Sequence, residues 1–118
     1  MRDRVKNIEK NLQVTLPQDY KDFIETFGVI SDERGEIFGY IENIDIEKLP
    51  CVIGATKLYK KDYNNILDNE IVISFDDMKN MPIILNTENG NIYNINYQEK
   101  NKINSSFQEW LDSTLKVL

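Results

Sequence analysis

Leu16-Pro17-Gln18-Asp19-Tyr20-Lys21-Asp22-Phe23-Ile24-Glu25-Thr26-Phe27-Gly28 carries the marks of a whole helix, entry and exit included. Proline suits the first turn, where its missing N–H would be unpaired in any case. Thr15 lies three residues before Gln18, the spacing of a capping box. Tyr20, Phe23, Ile24 and Phe27 follow at i, i+3, i+4 and i+7, which puts one apolar stripe on one face. Gly28 supplies the left-handed residue that ends a helix without Cβ strain.

Working outward, Arg4 to Asn11 reads as an earlier helix, with Val5, Ile8 and Leu12 spaced for one face. Val14 to Pro17 connects the two. Val29 to Gly35 is rich in turn formers and reads as a loop. Glu36 to Ile41 reads as a strand in which Gly39 marks a bulge or a close approach. Pro50 breaks the ambiguous run before it. Gly54 to Leu67 is expected to be helical, with Tyr59, Tyr63 and Ile66 on one side. Asn69 to Asp77 is a strand, dense in β-formers at Ile71-Val72-Ile73-Ser74-Phe75.

Pro82 to Asn86 and Asn91 to Tyr97 flank Thr87-Glu88-Asn89-Gly90, and Asn-Gly is a strong hairpin signal. Tyr93, Ile95 and Tyr97 alternate to one face, while Ile92, Asn94 and Asn96 share a second, polar face expected to meet water. Asn104 to Leu118 closes the chain as a helix, with Ser106 and Glu109 at capping-box spacing and a stripe of Phe107, Trp110, Leu111 and Leu115. The expected class is α+β: a mostly antiparallel sheet of about four to six strands, helices packed on one side, and a helix at each end. With no repeat and no linker-like tract, residues 1–118 are expected to form one domain.

Three stretches of this chain resemble the SUKH superfamily, the Smi/Knr type, in the right order. The first is the helix with its Leu16-Pro17 opening, acidic Asp19, aromatic Tyr20, Phe23 and closing Gly28. The second is Ile73-Ser74-Phe75-Asp76-Asp77 followed by the Asn89-Gly90-Asn91-Ile92-Tyr93 turn. The third is Ser106-Phe107-Gln108-Glu109-Trp110-Leu111. The resemblance implies a protein that holds another protein. It implies an immunity protein in particular, one that neutralises a toxin domain, often a nuclease, as small bacterial members do. The alternative it implies is a regulatory domain for an endogenous partner, as in the fungal relatives.

The 118 residues include 41% hydrophobic and 29% charged side chains, an ordinary balance for a folded protein. No apolar run approaches the roughly 18 residues that cross a bilayer, and the basic start leads to no signal-peptide core. With Cys51 as the one cysteine, a cytoplasmic location is the default expectation. The net charge is −6, concentrated in two acidic segments, Ser31 to Pro50 and Asp68 to Met78. That sign argues against direct binding of nucleic acid and favours a basic partner.

Histidine is absent, which removes the commonest general base and zinc ligand. The isolated glycines match no phosphate-binding loop. Asp76-Asp77 is the best candidate for a metal or for acid–base work, yet adjacent strand residues point to opposite faces, and Asp is at home opening a turn toward Met78-Lys79-Asn80. Cys51 sits in an apolar setting that suits a core thiol. No enzyme activity, cofactor or metal is therefore expected. Asp32, Glu33, Glu36, Glu42, Asp76 and Asp77 are the residues expected to steer a basic toxin domain, with Tyr40 and Tyr97 as anchors. The chain is expected to act as a monomer.

Overall fold

A computed structural model describes residues 2–33 and 35–115. Its elements run α1 (Arg2–Leu12), α2 (Gln18–Thr26), β1 (Ile30–Asp32), β2 (Gly35–Ile37), α3 (Val52–Asp62), β3 (Glu70–Asp76), β4 (Met81–Asn86), β5 (Ile92–Ile95), β6 (Lys100–Asn104) and α4 (Phe107–Leu115). The six strands pair in chain order, each antiparallel to the next. The α+β class and the helix at each end stand as expected. The final residues of the expected last helix, 116–118, lie outside those described.

α2 forms where its stripe says it should. Tyr20, Phe23 and Ile24 are buried, and Gly28 adopts φ +77°. The capping box does not form. Pro17, not Thr15, occupies the N-cap position and offers no side-chain bond, so Thr15 stands two residues too early. Asp19 serves both ends of the contact with α4 instead: Oδ1 accepts the Tyr20 N–H at 2.8 Å, and Oδ2 accepts the Gln108 N–H at 3.0 Å. The rings continue that contact. Phe107 meets Tyr20 edge-on at 4.9 Å and Phe23 at 5.4 Å, and Trp110 stands 5.8 Å beyond. The fully buried Tyr20 hydroxyl donates to Phe38 O at 2.7 Å, which leaves that core polar atom satisfied. The stripe stops short of Phe27, which is half exposed.

β3 and β4 carry the centre of the sheet. β4 is buried at all six positions, as a run of Met81-Pro82-Ile83-Ile84-Leu85-Asn86 requires of a strand covered on both faces. The β3–β4 register slips between Val72 and Ser74. The Val72 N–H is then taken by the buried Thr56 hydroxyl at 2.9 Å, which fastens α3 to the sheet. α3 begins earlier and ends earlier than expected. Its first five residues, Val52 to Thr56, are all buried, so no stripe marks its start. At its far end the chain turns away at Tyr63, whose N–H closes on Tyr59 O.

β1 appears where a loop was expected. It forms a tight hairpin with β2, pairing Ile30 with Ile37 and Asp32 with Gly35, and β2 covers the start of the strand expected from Glu36. Strands of three residues are too short to display a period of two. The strand expected to run to Ile41 keeps its extended path but changes partners. Phe38 N–H donates to Ile73 O, and Tyr40 N–H donates to Gly28 O. This crossing requires Gly39, since a Cβ there would lie 1.7 Å from Gly28 O.

β6, Lys100-Asn101-Lys102-Ile103-Asn104, is mostly polar and exposed, a composition that protects a sheet edge and conceals a strand. Its presence overturns the expected wet face of β5. Asn94 is buried, and its Oδ1 accepts Asn101 Nδ2 at 3.1 Å. β5 stops at Ile95 because Asn96 starts a turn, its Oδ1 accepting the N–H groups of Gln98 and Glu99 at 2.8 Å each.

Glu70 is the one acidic side chain driven fully inside, at 1% exposure among the described residues. Lys100 Nζ meets its Oε1 at 2.6 Å, Leu67 N–H donates to the same oxygen, and Asn86 Nδ2 donates to Oε2. This internal pair ties β6 back to the start of β3.

Candidate partner-binding cleft

β2 and β3 share a single register pair, Ile37 with Ser74. Carrying that ladder further would set Gly35 opposite Asp76 and crowd the carboxylates that flank both strands, an arrangement that costs stability. The ladder stops. Ser74 Oγ donates to Glu36 O at 2.5 Å at the last point of contact. Beyond it lies a cleft of about 620 Å³ between the β1–β2 turn and the β3–β4 turn.

Its walls and floor differ in character. Asp32, Glu33 and Glu36 stand on the β1–β2 side, and Asp76 and Asp77 on the β3–β4 side. Ile83 of β4, Ile103 of β6, and Trp110 and Thr114 of α4 complete the lining. No basic side chain occurs among the described lining residues. Met78 caps the β3–β4 turn and is 97% exposed, a large apolar side chain held out in water at the rim.

The carboxylates do different jobs. Asp76 Oδ1 accepts the N–H groups of Met78 and Lys79 at 3.0 and 3.1 Å, so it opens the turn in the way its position suggests. Glu36 Oε2 accepts the Ser31 hydroxyl at 3.1 Å, across the β1–β2 pair. Glu33 and Asp77 are exposed and have no hydrogen-bond or ion-pair partner among the described residues. The resulting field reaches α3. Burial first, then Asp77 and Glu36, hold the Tyr59 hydroxyl above its ordinary pKa of 10.0. Tyr59 in turn stacks on Phe75 at 5.9 Å.

Five of the eight residues singled out in the sequence thus gather on one cleft: Asp32, Glu33, Glu36, Asp76 and Asp77. Tyr40, Glu42 and Tyr97 do not line it. Glu42 makes a two-pronged contact with Arg4, at 2.9 Å from Nε and 2.8 Å from Nη2, and those bonds depress its carboxyl to a pKa of about 2. Arg4 also reaches Ile24 O, so this pair joins α1 to the end of α2. Tyr40 is half-buried, its hydroxyl accepting Asn7 Nδ2 at 3.0 Å. Tyr97 is exposed, and lies flat on Tyr63 with ring centres 4.5 Å apart.

The apolar floor was hidden in the sequence. Trp110 reads as part of the α4 core stripe, and Ile103 is a lone apolar residue in a polar run. The one available signal was Met78, a large hydrophobe directly after two aspartates at a turn. Cys51, at the start of α3, is buried, and burial raises its thiol pKa, which suits a packing residue. Among the described residues no three His, Cys, Asp or Glu side chains converge to hold a metal ion. No helix of the described residues is long and apolar enough to cross a membrane.

No curated protein matches the chain. The model of the SMI1 / KNR4 family (SUKH-1) matches residues 2–113, a span that takes in every cleft residue except Thr114. The chain is therefore a member of the SMI1 / KNR4 family (SUKH-1).

Proposed function

We propose that this chain is an immunity protein, which binds a toxin domain and neutralises it in the cytoplasm without catalysing a reaction. Its partner has a basic surface, as a nuclease needs for its phosphate substrate. The acidic cleft occupies that surface in place of the substrate. The observation that carries this reading is the convergence of Asp32, Glu33, Glu36, Asp76 and Asp77 from two separate turns onto one concave site. Such a patch raises the local concentration of a basic partner and speeds its encounter. Family membership supports a binding role, and the lack of histidine suits one.

The test is to read the genes beside this one for a toxin domain and to co-express the chain with it; a neighbourhood without a toxin gene would count against the reading. The wild-type chain restores growth of cells that make the toxin. Glu33→Lys with Glu36→Lys and Asp77→Lys, checked for native circular dichroism, fails to do so. Full protection by the folded triple variant would refute the assignment of the cleft.

A further inference from the structure

Asn89-Gly90, in the turn between β4 and β5, carries chemistry as well as shape. The turn lies at the end of β4 away from the cleft, which borders the β3–β4 turn. Asn89 is the one asparagine of the chain followed by glycine, and it is exposed to water. An asparagine Cγ can close a five-membered ring with the next backbone nitrogen, and glycine has no Cβ to obstruct that closure. The turn uses both residues. Gly90 holds φ +80°, and Asn89 Oδ1 accepts the Asn91 N–H at 2.8 Å.

In the folded hairpin both reacting groups are engaged. Gly90 N–H donates to Asn86 O at 2.8 Å, so a nitrogen stripped of its proton there would face that carbonyl oxygen directly. Asn86 Oδ1 also takes the N–H groups of Glu88 and Asn89, at 3.0 and 3.2 Å, which fixes the backbone before the glycine. Turning the Asn89 amide toward Gly90 N costs its bond to Asn91.

We propose that Asn89 is a self-modifying site gated by this hairpin, silent while the hairpin is closed and deamidating once it opens. In the open chain Gly90 N gives its proton to water and bonds to Asn89 Cγ. The bond from Cγ to the side-chain nitrogen breaks, ammonia leaves, and a cyclic succinimide remains. Water then opens the ring at either carbonyl, giving aspartate or isoaspartate at position 89. Overall, one amide and one water become one carboxylate and one ammonium ion. The isoaspartate route threads the backbone through the side-chain carbon and inserts an extra atom into the turn. Turn length sets the register of Ile84 with Tyr93 and Leu85 with Ile92, so that product does not close the same hairpin. The site records irreversibly, as one added negative charge, the time the chain spends open.

The test compares the folded chain with the same chain in denaturing guanidinium chloride, at one mildly alkaline pH and one temperature. Deamidation is read by mass spectrometry of the tryptic peptide from Asn80 to Lys100, whose other asparagines precede bulkier residues and serve as internal references. It is expected to run about tenfold or more slower at Asn89 in the folded chain, and the Gly90 amide should be protected from deuterium exchange. After return to buffer, chains with isoaspartate at position 89 should fail to regain the wild-type urea midpoint. Asn89→Asp, which keeps an acceptor for the Asn91 N–H, should regain it. Folded and denatured rates within about twofold of each other, an unprotected Gly90 amide, or isoaspartate chains that refold to wild-type stability would each overturn the proposal.

Discussion

Lys100→Met removes the cation of the buried pair while keeping most of its stem, and the structure sets the scale of the loss. Glu70 is 1% exposed, so its carboxylate cannot turn to water once Lys100 Nζ, 2.6 Å away, is gone. Breaking a buried pair from one side costs about 3–5 kcal/mol. Two donors remain, Leu67 N–H at 2.9 Å and Asn86 Nδ2 at 3.1 Å, and the Lys100 side chain is 24% exposed, so part of its charge was already hydrated. The expected loss is about 2–3 kcal/mol, which includes the contact of Nζ over the Tyr93 ring at 5.3 Å. In a domain of this size that lowers Tm by roughly 10 °C. The assay is urea unfolding of wild type, Lys100→Met, Glu70→Gln and the double variant. The double variant should lose much less than the sum of the singles, with a coupling of about 1.5–2.5 kcal/mol. A coupling within about 0.3 kcal/mol of zero would refute the view that this pair clamps β6 to β3.

Other expectations follow from the same geometry. Gly39→Ala places a methyl 1.7 Å from Gly28 O, backbone against backbone, and should cost more than about 3 kcal/mol or abolish folding, read by thermal melting. Asp76→Ala frees the Met78 and Lys79 N–H groups and should destabilise the β3–β4 turn by about 1 kcal/mol, whereas Asp77→Ala should leave Tm unchanged. Glu42 titrates near 2 in the folded protein against an ordinary 4.5, so its pairing with Arg4 favours the folded state above about 4.5 and that contribution fades as the pH falls toward 2. Carbonyl-carbon NMR should place the Glu42 midpoint near 2 and return it toward 4.5 in Arg4→Gln; a wild-type midpoint near 4.5 would contradict the contact.

What the sequence made legible was local and strongly periodic. α2 could be read because four apolar residues repeat at helical spacing before a glycine, and the β4–β5 hairpin because Asn89-Gly90 divides two β-rich runs. β1 lay beyond reach because a three-residue strand forms no pattern, and only the start of the strand read from Glu36 pairs as β2. β6 was hidden because an edge strand advertises its lysines and asparagines, not a core face. The start of α3 was missed because a helix buried all round has no amphipathic signature. The capping pair at Thr15 and Gln18 had the right spacing in the wrong place, while Ser106 Oγ does accept the Glu109 N–H at 3.1 Å, and Glu109 returns the bond to Ser105 N–H one residue early.

The site divides along the same line. Charge is visible in a linear sequence, so the carboxylates on its two sides can be read there, although only the fold shows that two turns bring them together. Glu42 was indistinguishable from them by sequence, because its partner Arg4 is 38 residues away. The apolar floor draws on β4, β6 and α4 at once, and no segment of chain announces a surface assembled from three elements.

The most direct measurement is the association rate of this chain with the toxin domain proposed as its partner, by stopped flow across a range of salt. If the acidic cleft is the docking face, the rate falls steeply as salt rises, and Glu33→Lys with Asp77→Lys lowers it about tenfold or more at low salt while dissociation changes less. A rate that is flat in salt and indifferent to those two substitutions would contradict the account at its centre.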